Sequence, residues 1–249
     1  MCAYRMTLRP DAAVVTGAAG GIGRVIVEDL LDAGLTVVAC DRDGSTTGAE
    51  RRHPGRFRFH ELDITDESAV HSLASALADD GLTVSYLINN AAVQSRSGLA
   101  DLTTRRWDLV MRVNLLGTFL FTRAFAPAMA ARGFGRIVTL SSYYAHRPAE
   151  GQSAYAASKA GLVGFTRSVA LDHAARGVTA NVVSPGLIWH PNLAKVYTRE
   201  EFETMGADIP TGRTGRPEEV SSAVGYLLSD EAAYITGQVL HVNGGLFLG

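Results

Sequence analysis

Cysteine is nearly missing from this chain: 249 residues contain two, Cys2 and Cys40. Two thiols so placed make no disulfide framework, and no Cys/His cluster at ligand spacing accompanies them, so no metal is expected. An excess of either charge is also missing. Lys and Arg number 23 against 25 Asp and Glu, for a formal net charge of −2. With a pI of about 6.4 the chain lacks the basic face of a nucleic-acid binder. Its one local excess, Arg51, Arg52, Arg56 and Arg58, reads as a solvated surface. No uninterrupted apolar run approaches the roughly 18 residues of a membrane span. Residues 1–10 show neither an apolar h-region nor a small-residue cleavage site. No nucleic acid, no membrane and a reducing, cytoplasmic setting are expected. Repeats, low-complexity tracts and linkers are lacking too, so 1–249 reads as one domain.

What is present is apolar: 47% hydrophobic against 19% charged residues, enough for a large buried core. Short apolar runs alternate with longer amphipathic stretches. Strands are predicted at Ala12–Thr16, Thr36–Cys40, Phe57–Leu62, Ser85–Ile88, Arg136–Leu140, Val178–Val183 and Gln238–Val242. Helices are predicted at Gly21–Ala33, Thr104–Ala131 and Ser153–Ala175, with another opening at Pro217, where a missing N–H costs least. The stretch from Leu187 to Arg216 is less regular. This order predicts an α/β fold: a Rossmann-type, doubly wound, seven-stranded parallel sheet with helices on both faces. Continuous apolar strands are what a sheet covered on both faces requires.

The first strand runs into Thr16-Gly17-Ala18-Ala19-Gly20-Gly21-Ile22-Gly23 and then a helix. Glycines there permit a tight turn and a close backbone approach to a pyrophosphate, which the helix N-terminus attracts. Asp41 follows the second strand, about 20 residues on, where an acid accepts hydrogen bonds from the adenosine ribose and repels a 2′-phosphate. Arg42, its neighbour, would partly accommodate such a phosphate. NAD is the expected cofactor and NADP the alternative. Tyr155 and Lys159 lie four apart on a predicted helix and share a face. An ammonium beside a phenol stabilises the phenolate and makes it usable as acid or base near neutral pH.

Taken together these motifs resemble the short-chain dehydrogenase/reductase family over nearly the whole chain, Ala12 to Gly245. The glycine loop matches Thr-Gly-x-x-x-Gly-x-Gly. Asn89-Asn90-Ala91-Ala92 matches Asn-Asn-Ala-Gly with alanine last, and Ser142 lies 13 residues before Tyr155. The resemblance implies that Asp63, followed by Ile64, contacts adenine, and that Asn90, Ala91, Pro185 and Gly186 line the cofactor. It further implies that Ser142 and Tyr155 bind the reacting oxygen and that Tyr155 exchanges its proton. Lys159 would lower the tyrosine pKa and hold the nicotinamide ribose, and Asn114 would hold a water leading to solvent. The family often has threonine four residues past Gly186 to meet the carboxamide; this chain has His190, with Ile188 still able to offer its backbone.

The substrate pocket is expected from Val93, Gln94, Tyr143, Tyr144, His146, Gln152, Leu187, Trp189 and His190, under a lid within 187–216 that carries Lys195, Arg199 and several glutamates. The substrate is expected to be a small alcohol or ketone. The alternative is a 3-oxoacyl-thioester reductase, for which the resemblance implies NADPH and for which Arg132 and Arg176 lie near a carrier-protein patch. A redox-sensing module without catalysis is a remote third reading. Small residues at Ala156, Ala157, Ala160, Gly161 and Gly164 suit the helix pairing that gives tetramers in the family, so a homotetramer is expected.

Overall fold

The computed structural model describes residues 6–42, 48–190 and 198–249. Seven parallel strands form its one sheet: β1 (Ala12–Thr16), β2 (Thr36–Asp41), β3 (Phe57–Glu61), β4 (Val84–Asn89), β5 (Gly135–Leu140), β6 (Val178–Pro185) and β7 (Val239–Val242). Their order is β3-β2-β1-β4-β5-β6-β7. The chain therefore winds outward one way through β1, β2 and β3, then returns to β1 and winds the other way. That reversal opens a crevice between the carboxyl ends of β1 and β4.

Side chains of a strand alternate between its faces. Ala13 and Val15 of β1 enter one apolar layer, closed by α1 (Gly21–Asp32) and α8 (Pro217–Leu228). Ala12 and Val14 enter the other, closed by α3 (Glu67–Asp79) and α5 (Gly117–Ala131). Phe121 of α5 and Leu87 of β4 are fully buried there. Cys40 of β2 lies in the same layer, where burial raises its thiol pKa far above the ordinary range.

The predicted strands all form, most of them a residue or two longer than predicted. The predicted helix 104–131 is α4 (Thr104–Met111) and α5 joined by a π-helical turn, Arg112–Leu116. This run is long and apolar enough to cross a membrane by length and composition, but half its most apolar window is buried in the fold. That favours a core helix. α6 (Ser153–His173) continues as a 3-10 turn through Arg176. A four-residue helix, α2 (Ala49–Arg52), and α3 have no counterpart in the sequence reading. Yet α3 carries a clear start signal: the Asp66 carboxylate accepts from Ser68 N–H at 2.9 Å and Ala69 N–H at 3.0 Å. Its Val70, Leu73 and Leu77 then face the core at helical spacing.

The stretch 187–216 is more regular than predicted. It holds α7 (Arg199–Ala207), started by a capping box in which Thr198 and Glu201 bond each other's backbone. A parallel bridge pairs Ile188 with Gly215. Lys195, and the part of the expected lid between 191 and 197, lie outside the described residues, as does Cys2.

Phe121→Ala empties a fully enclosed site, and the expected loss is about 3–5 kcal/mol of unfolding free energy. Urea denaturation checks it; a loss below about 1 kcal/mol would mean that the α5 layer collapses freely around the missing ring.

Candidate active site

The turn after β1 closes onto the end of β4. Gly17 has φ +64, and a Cβ there would stand 2.7 Å from Ala91 Cα. A Cβ on Gly23 would strike the Gly17 carbonyl oxygen and sit 2.7 Å from Asn90 Nδ2. Only glycine leaves that room. The Asn90 amide fills it, donating to the Thr16 and Gly17 carbonyls at 3.0 Å each. Thr16 returns the contact: its Oγ1 accepts from Asn90 N–H at 3.0 Å and Ala91 N–H at 3.1 Å. Gly20, the N-cap of α1, offers no side-chain cap, and the first turn holds no acid. The free N–H groups and the positive helix end thus face the crevice, as an anionic diphosphate would need.

At one end of the crevice the Asp41 carboxylate accepts from Ala19 N–H at 2.9 Å and Arg42 N–H at 2.7 Å. Arg42 turns its guanidinium toward Asp63, 3.9 Å away, and is largely exposed. Asp63 is held below the usual carboxylate range, first by the Thr65 backbone N–H and also by the Thr65 hydroxyl and Arg42.

At the other end stand Tyr155 and Lys159 of α6. Lys159 is 2% exposed, and its Nζ donates to the Leu140 carbonyl at 2.7 Å. Burial drives its pKa down to about 7. Nζ lies 5.7 Å from the centre of the Tyr155 ring. Burial disfavours the ammonium, and a negative charge arriving beside it would favour it again. Ser142, just past β5, accepts from Tyr144 N–H at 3.3 Å.

Asn114 sits in the π-turn, fully buried. Its Oδ1 accepts from Val93 N–H at 2.8 Å, and its Nδ2 donates to the Val93 carbonyl at 3.0 Å and to Ser158 Oγ at 2.9 Å. Ser158 in turn donates to the Tyr155 carbonyl at 2.7 Å. The amide is a strut between the strand-end segment and α6. Ser141 Oγ adds a second, donating to the Lys159 carbonyl at 2.8 Å. The sequence reading missed both serines, because nothing in their spacing separates a strut from a surface hydroxyl.

A cavity of about 700 Å³ joins the two ends, running from Asp41 to Tyr155. It is lined by Gly17, Gly20 to Gly23, Arg42, Asp63, Ile64, Asn90, Ala91, Ser142, Lys159, Pro185, Gly186 and Ile188. Gln94, Tyr143, Tyr144, Leu187 and His190 line it as well. Three expected pocket residues stand elsewhere. Trp189 rests on Phe202 of α7, ring centres 5.1 Å apart. His146 packs with His241 and Phe247. Gln152 lines a second cavity. His190 lies against Gly21: a Cβ added there would stand 2.6 Å from His190 Nδ1. Nδ1 has no hydrogen-bond partner among the described residues, and burial lowers the ring's pKa.

The uncapped helix end, the glycine cradle and the length of the cavity fit a dinucleotide. The phenol–amine pair at its far end can move a proton at an alcohol or carbonyl oxygen placed beside it.

Known proteins agree with this geometry. Residues 17–247 match the family model described as enoyl-(acyl carrier protein) reductase. A 3-oxoacyl-(acyl-carrier-protein) reductase of Vibrio cholerae is 36% identical over 98% of this chain and 100% of its own. The enzyme of that name from Escherichia coli is 35% identical with the same coverage. A solved structure described as a short chain dehydrogenase/reductase family protein superposes with a TM-score of 0.87 at 33% identity, covering 96% of this chain and 98% of that one. The chain is a nicotinamide-dependent oxidoreductase and belongs to the short-chain dehydrogenase/reductase family.

Proposed function

We propose that this enzyme interconverts a secondary alcohol and its ketone with NAD as the partner. The single observation carrying the cofactor choice is the Asp41 carboxylate at the β2 end of the cavity. It can accept from ribose hydroxyls, and it repels a 2′-phosphate. Arg42 offsets this only in part, because its exposed guanidinium is also drawn toward Asp63.

In this reading Ser142 and Tyr155 hold the reacting oxygen, and Tyr155 takes its proton during oxidation or returns it during reduction. Lys159, raised toward the ammonium by that phenolate, keeps the phenol acidic and contacts the ribose next to the nicotinamide. Asn114, through Ser158, fixes the stretch of α6 that carries Tyr155. The dinucleotide, when bound, supplies the hydride acceptor or donor. Asp63, Ile64, Asn90, Ala91 and the Pro185-Gly186 turn line the cavity and would hold it, and His190 and the Ile188 backbone would offer it further polar contacts. Cytoplasmic residence belongs to the same reading.

The second reading is the 3-oxoacyl-thioester reductase with NADPH, and the names of the relatives favour it over the first. Against it, Arg132, near the expected carrier patch, spends its guanidinium on the Val84 carbonyl. Arg176 bonds the Asp172 carbonyl and His173.

Three outcomes follow. Tyr155→Phe should lower kcat by about a hundredfold to ten-thousandfold with dinucleotide affinity nearly intact; near-normal initial rates at saturating cofactor would remove Tyr155 from the chemistry. In steady-state kinetics with both cofactors, kcat/KM should favour NAD by at least about tenfold, which needs only ~1.4 kcal/mol. Asp41→Ala should narrow that ratio by weakening NAD. Equal efficiency, or a preference for NADP, moves the assignment to the thioester reductase. Light scattering at micromolar concentration should give a tetramer mass, since Trp107, Leu109 and Phe119 on α4 and α5 and Leu171 on α6 expose apolar side chains. A strictly monomeric mass refutes the assembly.

A further inference from the structure

Beyond the Tyr144 ring lies a second cavity, of about 550 Å³. Tyr144 belongs to the walls of both cavities. Its ring stands edge-on to Tyr155, centres 6.2 Å apart, so the second space begins one aromatic ring away from the phenol. Gln152 lines it and is 1% exposed, and its Oε1 has no hydrogen-bond partner among the described residues. A buried amide oxygen without a donor is unfavourable, and a ligand that donates to it recovers that cost on binding. Arg96 enters from another strand-end segment. Ser97 N–H donates to the Gly151 carbonyl at 2.9 Å, and Gly151, at φ +74, leaves only 3.3 Å between a would-be Cβ and Arg96 Cγ. The Arg96 side chain thus starts beside the residue preceding Gln152, and Arg96 lines the cavity.

The rim is acidic. Glu150, Glu200 and Glu201 line it, against Arg96 as the one cation among the described residues. Glu201 Oε2 is committed to Thr198 N–H at 2.7 Å, which leaves the carboxylates of Glu150 and Glu200 on the exposed side. Carboxylates make charge-assisted bonds with hydroxyl donors and repel phosphate or carboxylate groups.

We propose that this second cavity binds the far end of the substrate, and that this end is uncharged and rich in hydroxyls: a polyol chain or a cyclitol ring. Its hydroxyls donate to Gln152 Oε1 and to the rim carboxylates, and accept from Arg96. The proposal rests on the NAD-linked reading above. The carbinol hydrogen leaves as hydride to NAD, which becomes NADH, and the hydroxyl proton passes to Tyr155. The product is a hydroxyketone.

Matched alcohols test it: myo-inositol against cyclohexanol, xylitol against 2-pentanol, and gluconate as an anionic polyol, each assayed with NAD. The polyol should exceed its deoxy partner in kcat/KM by about a hundredfold, because a site built to bond hydroxyls rejects the analogue without them. Gln152→Met should erase most of that ratio by lowering polyol kcat/KM toward the deoxy-alcohol value, with dinucleotide affinity, read by fluorescence quenching, as the control that the variant is folded. Should that buried variant fail to fold, Glu200→Lys on the exposed start of α7 reads the same rim: neutral polyols weaken and gluconate improves. Equal efficiency for polyols and deoxy alcohols, a wild-type preference for gluconate, or polyol kinetics untouched in both variants overturns the proposal alone. Turnover of 3-oxoacyl thioesters with NADPH, and of no alcohol with NAD, overturns the NAD-linked reading and this proposal with it.

Discussion

The crevice depends on one amide. A doubly wound sheet parts where its winding reverses, and here that parting separates the ends of β1 and β4. Asn90 spans it, its Nδ2 shared between two carbonyls of the glycine turn. That bond requires the turn to come close, and the closeness requires glycine at 17 and 23. Neither cavity end would face the other if this seam were open, because β1 carries the phosphate turn and β4 leads toward the Val93 segment that Asn114 clamps.

A second constraint acts on charge. Lys159 is enclosed and bonded to one carbonyl, and burial lowers its pKa. A lysine in water would be a permanent cation and a weak lever on a neighbouring phenol. Here burial sets the ammonium against a developing phenolate beside it, so each charge would favour the other. The struts from Ser141, Ser158 and Asn114 explain how two flexible side chains keep one geometry.

Much of this was legible in the residues. Glycine spacing, Asp41, and the Tyr155–Lys159 pair announce themselves because their chemistry needs those types at those separations. The seven strands were visible as apolar runs. The helix α3 was not read, although Asp66 caps it, because its exposed face is alanine and serine and gives weak periodic contrast. α7 was passed over for a related reason: its capping box sits in a stretch with only Phe202 and Gly206 buried. Of the second cavity the sequence reading named Gln152 as a pocket residue, but not the separate space that it lines. Gln152, Arg96 and Glu200 are far apart in the chain, and only the turn at Gly151 and the start of α7 bring them to one place.

The walls of the main cavity come from the turn after β1, the ends of β2, β4, β5 and β6, and the first turns of α6. No contiguous segment contains a usable part of it. A dinucleotide that bridges these walls therefore binds the native state and has little hold on any partly unfolded one. By mass action its binding adds to global stability, by about 2.7 kcal/mol at a hundred times its dissociation constant. Cellular cofactor levels would then set how often this enzyme opens to proteases, and a cell starved of the dinucleotide would lose the protein itself as well as its turnover.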